Sequence, residues 1–122
     1  MEDLPYRLAN AGYKVVLSCA SNFYFDLAYN RSYDEPGHYW AGFLDTDKPF
    51  YFIPYDYYKN STEDYEGNPI NPTLFTGKDR LTDYGKSNIL GIKSLIWGEK
   101  VIGPELMEYQ LLPKLIGMAE RA

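Results

Sequence analysis

The sequence predicts an α/β fold organised around parallel strands, and three observations lead there. Periodic segments follow one another as helix, strand, long loop with a short helix, strand and helix, the alternation that parallel sheets produce. The first strand-like run, Tyr13-Lys14-Val15-Val16-Leu17-Ser18, is the short, apolar, β-branched kind that parallel sheets bury. Two strands alone leave such a sheet uncovered, and the last helix is still amphipathic and uncapped at Ala119-Glu120-Arg121-Ala122, so the expectation is the last part of a larger α/β domain. A (β/α)8 barrel needs about 250 residues, roughly twice the 122 present.

Each element has its own signal. Leu4 to Ala11 reads as the end of a helix, with Gly12 as its C-terminal stop. The strand Tyr13–Ser18 follows, and Ser21 to Asp26 is expected to continue out of it. From Leu27 to Ser87 the chain is aromatic and punctuated by Pro36-Gly37, Lys48-Pro49, Ile53-Pro54, Asn68-Pro69 and Asn71-Pro72, which mark turns and extended pieces. Within it Pro49 to Tyr58 is a candidate short helix, with Asp47 near its start and Pro54 as an interruption. Asn88 to Trp97 is the second strand candidate. Gly103-Pro104-Glu105 opens the last helix, with proline at the first helical position and Glu105 and Glu108 near the positive end of the dipole. Leu111, Leu112, Leu115, Ile116 and Ala119 supply its apolar face, and Pro113 is expected to kink it by removing the bond to the Tyr109 carbonyl.

Composition narrows the function. With 45% hydrophobic and 24% charged residues, 122 residues allow one domain with a real core. Seventeen acidic against twelve basic side chains leave a net charge of −5 and no basic run, so nucleic acid is a poor partner. No apolar stretch approaches the roughly 18 residues of a membrane span, and Met1 to Tyr6 lacks the regions of a signal peptide. One cysteine, Cys19, and one histidine, His38, exclude a disulfide framework and a metal site of several His and Cys ligands, and neither metal nor cofactor is expected. Any nucleophilic triad would have to use His38, which sits in the turn-like Glu35-Pro36-Gly37-His38-Tyr39-Trp40 and reads better as a loop histidine beside aromatics. The 13 Tyr, 6 Phe and 2 Trp are the unusual feature. Interleaved with carboxylates, they suit sugar rings, whose C–H faces stack on π surfaces while their hydroxyls need acceptors; an aromatic-rich core explains the same numbers.

In barrels the working residues stand at the C-terminal ends of strands and on the loops that follow. After the first strand, alternation places Tyr24 and Asp26 on one face; after the second, Trp97 and Glu99 are likewise two apart. Together they offer a phenol donor, two carboxylate acceptors and a flat apolar wall, a pyranose-binding set. Tyr and Trp at strand ends also serve as lids over a core, and Asp26 also fits a bond to a loop amide. The adjacent Asp34-Glu35 invites an acid/base reading, but neighbouring strand residues face opposite ways, and a solvated loop pair is the plainer one.

Five stretches, Leu8 to Ser18, Asn22 to Tyr29, Glu35 to Phe43, Leu95 to Glu99, and Leu112 to Leu115 with Ala119-Glu120-Arg121, resemble in register the C-terminal end of the catalytic barrel of glycoside hydrolase family 20. The likeness is closest to bacterial members of the Bacteroidetes type. It implies a (β/α)8 barrel segment from about strand 7 to helix 8, with residues 1–122 forming one partial catalytic domain. Members are β-N-acetylhexosaminidases acting on N-acetyl-hexosamine glycans. By resemblance, Tyr24 is the tyrosine that donates to the substrate's acetamido oxygen, and Asp26 and Glu99 bind the C4 and C6 hydroxyls of the terminal sugar. Trp97 walls that pocket, and Trp40 stands at the entrance, where the leaving group lies. In this family the substrate's own acetamido oxygen is the nucleophile and an oxazolinium forms.

The family's Asp-Glu pair, carried in a His-x-Gly-Gly-Asp-Glu motif, is absent from the 122 residues, and Asp34-Glu35 lacks the preceding histidine and glycines. The isolated chain is therefore expected to be inactive, and to self-associate or to pair with the missing N-terminal part of the barrel. The family resemblance implies a periplasmic or cell-surface location. The alternative is a non-catalytic carbohydrate-binding domain using Trp40, Trp97, Asp26 and Glu99.

Overall fold

The computed structural model describes residues 2–31 and 37–122, so Asp34-Glu35 and Pro36 lie outside the described residues. The elements in chain order are α1 (Leu4–Asn10), β1 (Val15–Leu17), α2 (Ala20–Phe23), α3 (Asp47–Phe50), α4 (Asp83–Lys86), β2 (Ile89–Ile92) and α5 (Gly103–Arg121). Single 3-10 turns stand at Tyr57–Asn60, Pro72–Phe75 and Gly98–Lys100. Helix α1 carries Pro5 in its first turn, where no intrahelical donor is lost, and Gly12 follows it at φ +100°, a left-handed stop that glycine adopts without a Cβ clash.

β1 and β2 pair in parallel, Val15 with Ile89, Val16 with Gly91 and Leu17 with Ile92, with an irregular step after Val15. Beyond them the pairing survives as single bridges: Tyr24 with Leu95, and Leu27 with His38, both parallel. The stretch after β1 is therefore held on one side by the Leu95 segment and on the other by the His38 segment. This corrects the expectation that Ser21 to Asp26 prolongs the strand. The chain first makes the helical turn α2, then a tight turn in which the Leu27 N–H bonds the Tyr24 carbonyl at 3.1 Å. Likewise the expected helix over Pro49–Tyr58 is two short turns, α3 and Tyr57–Asn60, parted around Pro54, whose missing N–H cannot continue either.

The core is aromatic. Tyr6, Phe23, Phe25, Phe52, Tyr57, Tyr58 and Phe75 are buried with Leu17, Leu27 and Leu44. Tyr6 and Tyr57 stack with centroids 3.9 Å apart, and Phe23 meets Phe52 edge-on at 4.7 Å. Buried phenols need partners. The Tyr6 hydroxyl donates to the Pro54 carbonyl at 2.6 Å and accepts from the Tyr57 N–H at 2.8 Å, and the Tyr57 hydroxyl donates to the Glu2 carbonyl. The aromatic surplus is thus shared between a core and a surface.

Helix α5 packs on α3, and the contact is close: a Cβ on Gly117 would meet the Thr46 carbonyl at 3.0 Å and the Phe50 nitrogen at 3.1 Å. The residues α5 buries are Gln110, Lys114 and Gly117, while Leu112, Leu115 and Ile116 of the expected apolar face are exposed. The reason is local. Only glycine admits the α3 backbone, and the long Lys114 side chain reaches carbonyls in the core that no leucine could satisfy. Pro113 sits within the helix Gly103–Arg121, and the Tyr109 carbonyl, to which Pro113 offers no N–H, accepts from the Tyr29 hydroxyl.

Candidate functional site

Tyr24 closes α2, with its N–H bonded to the Ala20 carbonyl at 3.1 Å. Its half-buried ring meets Trp40 edge-on at 5.9 Å between centroids and Trp97 at 6.3 Å. The two indoles remain 58% and 47% exposed, so the trio forms a surface cluster rather than a lid over the core.

Asp26 lies beside this cluster and is only 1% exposed. Its Oδ1 accepts the Trp97 backbone N–H at 3.2 Å, and its own carbonyl accepts the His38 N–H at 3.0 Å. Its Oδ2 is buried and has no hydrogen-bond partner among the described residues. Leaving a buried acceptor unmatched costs about 1–3 kcal/mol, more for a charged group, and such an atom in a native fold calls for a reason. The loop-amide role foreseen for Asp26 is present, but it occupies one oxygen only.

Glu99 sits in the 3-10 turn Gly98–Lys100, so strand alternation with Trp97 does not apply to it. Its carboxylate is largely exposed, and its Oε2 is 3.7 Å from Nε2 of the partly buried His38. His38 thereby links two of the expected residues: its backbone holds Asp26 and its ring approaches Glu99. Tyr24, Trp40, Trp97, Asp26 and Glu99 are brought together through this chain of contacts, even though the alternation argument holds for neither pair.

Two further residues hold the site from behind. The Lys114 ammonium donates to the carbonyls of Phe25 at 2.9 Å and Leu27 at 2.6 Å, which flank Asp26, and stands 4.0 Å from the centroid of the Tyr29 ring. Sequence reasoning missed both. The available signal was a lysine between Pro113 and Leu115, inside the apolar run 111–116 of that helix.

A phenol, a buried carboxylate with one oxygen unpartnered among the described residues, a second carboxylate and two exposed indole faces are the group types a pyranose takes: acceptors for hydroxyls and flat apolar walls. The chain matches, over residues 2–122, the family described as glycosyl hydrolase family 20, catalytic domain. It belongs to that family. The family 20 relatives include a "Beta-hexosaminidase" of Vibrio vulnificus, 36% identical over 98% of this chain, and an "N,N'-diacetylchitobiase" of Vibrio harveyi, 32% identical over 96%. A "Beta-hexosaminidase B" of Pseudoalteromonas piscicida is 30% identical over 98%. The family 20 segment described here spans only 13% to 15% of the length of these relatives. Its two parallel strands and flanking helices agree with a piece of a family 20 barrel.

Proposed function

We propose that this chain is the strand 7 to helix 8 segment, within 1–122, of a β-N-acetylhexosaminidase, and that it contributes the pocket for the terminal N-acetyl-hexosamine. The observation that carries this is Asp26, whose buried carboxylate is anchored by the Trp97 N–H through Oδ1, with Oδ2 unpartnered among the described residues, next to the Tyr24, Trp40 and Trp97 cluster that Trp97 joins.

In this reading Asp26 and Glu99 accept the C4 and C6 hydroxyls, Trp97 lies along the ring, and Trp40 meets the departing portion. The Tyr24 phenol donates to the acetamido oxygen, holding it in line with the anomeric carbon and meeting its changing charge with a fixed dipole. That oxygen is the nucleophile: it bonds to the anomeric carbon as the glycosidic bond breaks, and water later opens the oxazolinium with retention. Protonation of the leaving oxygen needs a general acid, and the sequence holds no His-x-Gly-Gly-Asp-Glu motif to supply one.

The test is hydrolysis of a chromogenic N-acetylglucosaminide by the 122-residue chain alone and by the same segment joined to a barrel portion that carries the motif. No turnover alone and turnover when joined is expected. Turnover by the isolated chain would overturn the division of labour, and sugar binding without turnover in either form would favour the carbohydrate-binding alternative.

A further inference from the structure

Asp26 stands third in a four-residue turn, 24–27, closed by the Leu27 N–H on the Tyr24 carbonyl at 3.1 Å. The direction in which its side chain leaves the backbone is set by the peptide planes on either side of it. One hydrogen bond across a turn does not fix them, since type I and type II turns differ by a flip of the central peptide. Here that peptide carries the Phe25 carbonyl, to which the Lys114 ammonium of α5 donates at 2.9 Å. The next carbonyl, that of Asp26 itself, accepts the His38 N–H at 3.0 Å, and the one after, that of Leu27, accepts from Lys114 again at 2.6 Å. Carbonyls 25, 26 and 27 are thus held in succession, alternately by Lys114 and by His38.

Packing alone does not account for Lys114. It is 0% exposed, among the largest fully buried side chains of the fold, and an ammonium taken into a core loses its water. A leucine would fill the space without that loss but could donate to neither carbonyl. Docking of α5 has other contacts to rest on: Leu111 and Met118 pack against the core, Gly117 meets the α3 backbone, and the Tyr109 carbonyl accepts from the Tyr29 hydroxyl. What Lys114 adds is control of the turn that carries Asp26. That control extends to Trp97, whose backbone N–H bonds Asp26 Oδ1 at 3.2 Å.

We propose that Lys114 is a positioning residue: from α5 it fixes the peptide planes around Asp26, places the Asp26 carboxylate against the Trp97 backbone, and through Asp26 sets the affinity of the cluster for a sugar. The effect on affinity rests on the sugar-pocket reading above; the effect on geometry does not.

Amide hydrogen exchange followed by nitrogen-15 NMR on the 122-residue chain separates positioning from a general loss of stability. The Val15 and Lys93 amides, bonded to the Asn88 and Leu17 carbonyls in the sheet, serve as the reference. In Lys114→Met, exchange at the Trp97 and His38 amides should accelerate roughly tenfold more than at these two. Lys114→Arg, which keeps the cation and its donors, should return Trp97 to within about threefold of the parent chain. If Lys114→Met does not fold, Lys114→Gln, a neutral amide donor on a shorter stem, is read in the same way. Equal acceleration at all four amides, or a Trp97 amide already unprotected in the parent chain, would overturn the proposal. Titration with N-acetylglucosamine, followed at the Trp97 cross-peaks, reads the consequence. Binding should weaken about tenfold in Lys114→Met, and Asp26→Asn combined with Lys114→Met should bind no more weakly than Asp26→Asn alone. Losses that add, or an affinity unchanged in Lys114→Met, would also overturn it, because Lys114 would then not act through Asp26. Freed Trp97 and His38 amides, with no sugar bound even by the parent chain, would support the positioning role and sink the pocket reading.

Discussion

Asp26 carries two loads on one carboxylate. Oδ1 pins the Trp97 backbone, and Oδ2 is left buried and uncommitted among the described residues. Tyr24 is the complementary case, a phenol positioned by the α2 turn and two indole edges. On the proposed role of Tyr24, Tyr24→Phe in a complete catalytic domain would remove one donor to an oxygen whose charge changes in the transition state, so kcat should fall about 10²- to 10³-fold. Steady-state kinetics on a chromogenic N-acetylglucosaminide check this. An effect on KM alone would show that Tyr24 binds ground state and transition state equally and would remove the assigned role. Tyr24 and Asp26 were legible from their place after a β-branched run, but the linkage through His38 was not, because nothing local in the sequence pairs His38 with Leu27.

At the scale of elements, α5 is fastened by the buried Lys114 ammonium as well as by Leu111 and Met118, which pack against the core. Lys114→Met keeps an apolar stem and strips the donor from the Phe25 and Leu27 carbonyls. Each stranded buried acceptor costs about 1–3 kcal/mol, so the urea midpoint should drop markedly; an unchanged midpoint would mean that water or other groups replace the ammonium. The aromatic core around α1 and the Tyr57–Asn60 turn makes a second prediction. Burial pushes the Tyr6 and Tyr57 phenols well above the usual tyrosine range and pushes the Cys19 thiol up to about 11 from 9.0. In all three the folded state favours the protonated form. Their contribution is therefore complete below pH 9, begins to fall as unfolded Cys19 ionises above it, and falls faster beyond pH 10 as unfolded tyrosine does. Thermal melts followed by circular dichroism should show a stable Tm up to about pH 9 and a steepening decline above; a flat Tm to pH 11 would contradict it.

For the whole molecule, the two-stranded parallel sheet leaves one edge of each strand unpaired within it, and Val16 and Leu90 face outward from it. On the far side of α5, Leu112, Leu115 and Ile116 are exposed, Ile116 at 73%. Burying one such side chain fully is worth roughly 1.5 to 3 kcal/mol, and open strand edges template further pairing. The isolated chain should self-associate through these surfaces. Sedimentation at micromolar concentration should find species heavier than the 14.1 kDa chain, whereas a compact monomer with cooperative unfolding would show that the exposed faces are tolerated.

The two parallel strands, the stop at Gly12 and the start of α5 at Gly103-Pro104 were determined by the sequence itself, since periodicity, glycine and proline act through backbone preferences over a few residues. The tertiary structure alone decided which face of α5 is buried and which aromatics serve as core. Periodicity put Leu111, Leu112, Leu115 and Ile116 inside; Leu111 packs against the core, whereas contact with the α3 backbone at Gly117 and the reach of Lys114 to carbonyls 89 and 87 residues away left Leu112, Leu115 and Ile116 exposed. Such choices depend on groups distant in the chain that must be hydrogen-bonded once water is excluded, and no window of neighbouring residues encodes them.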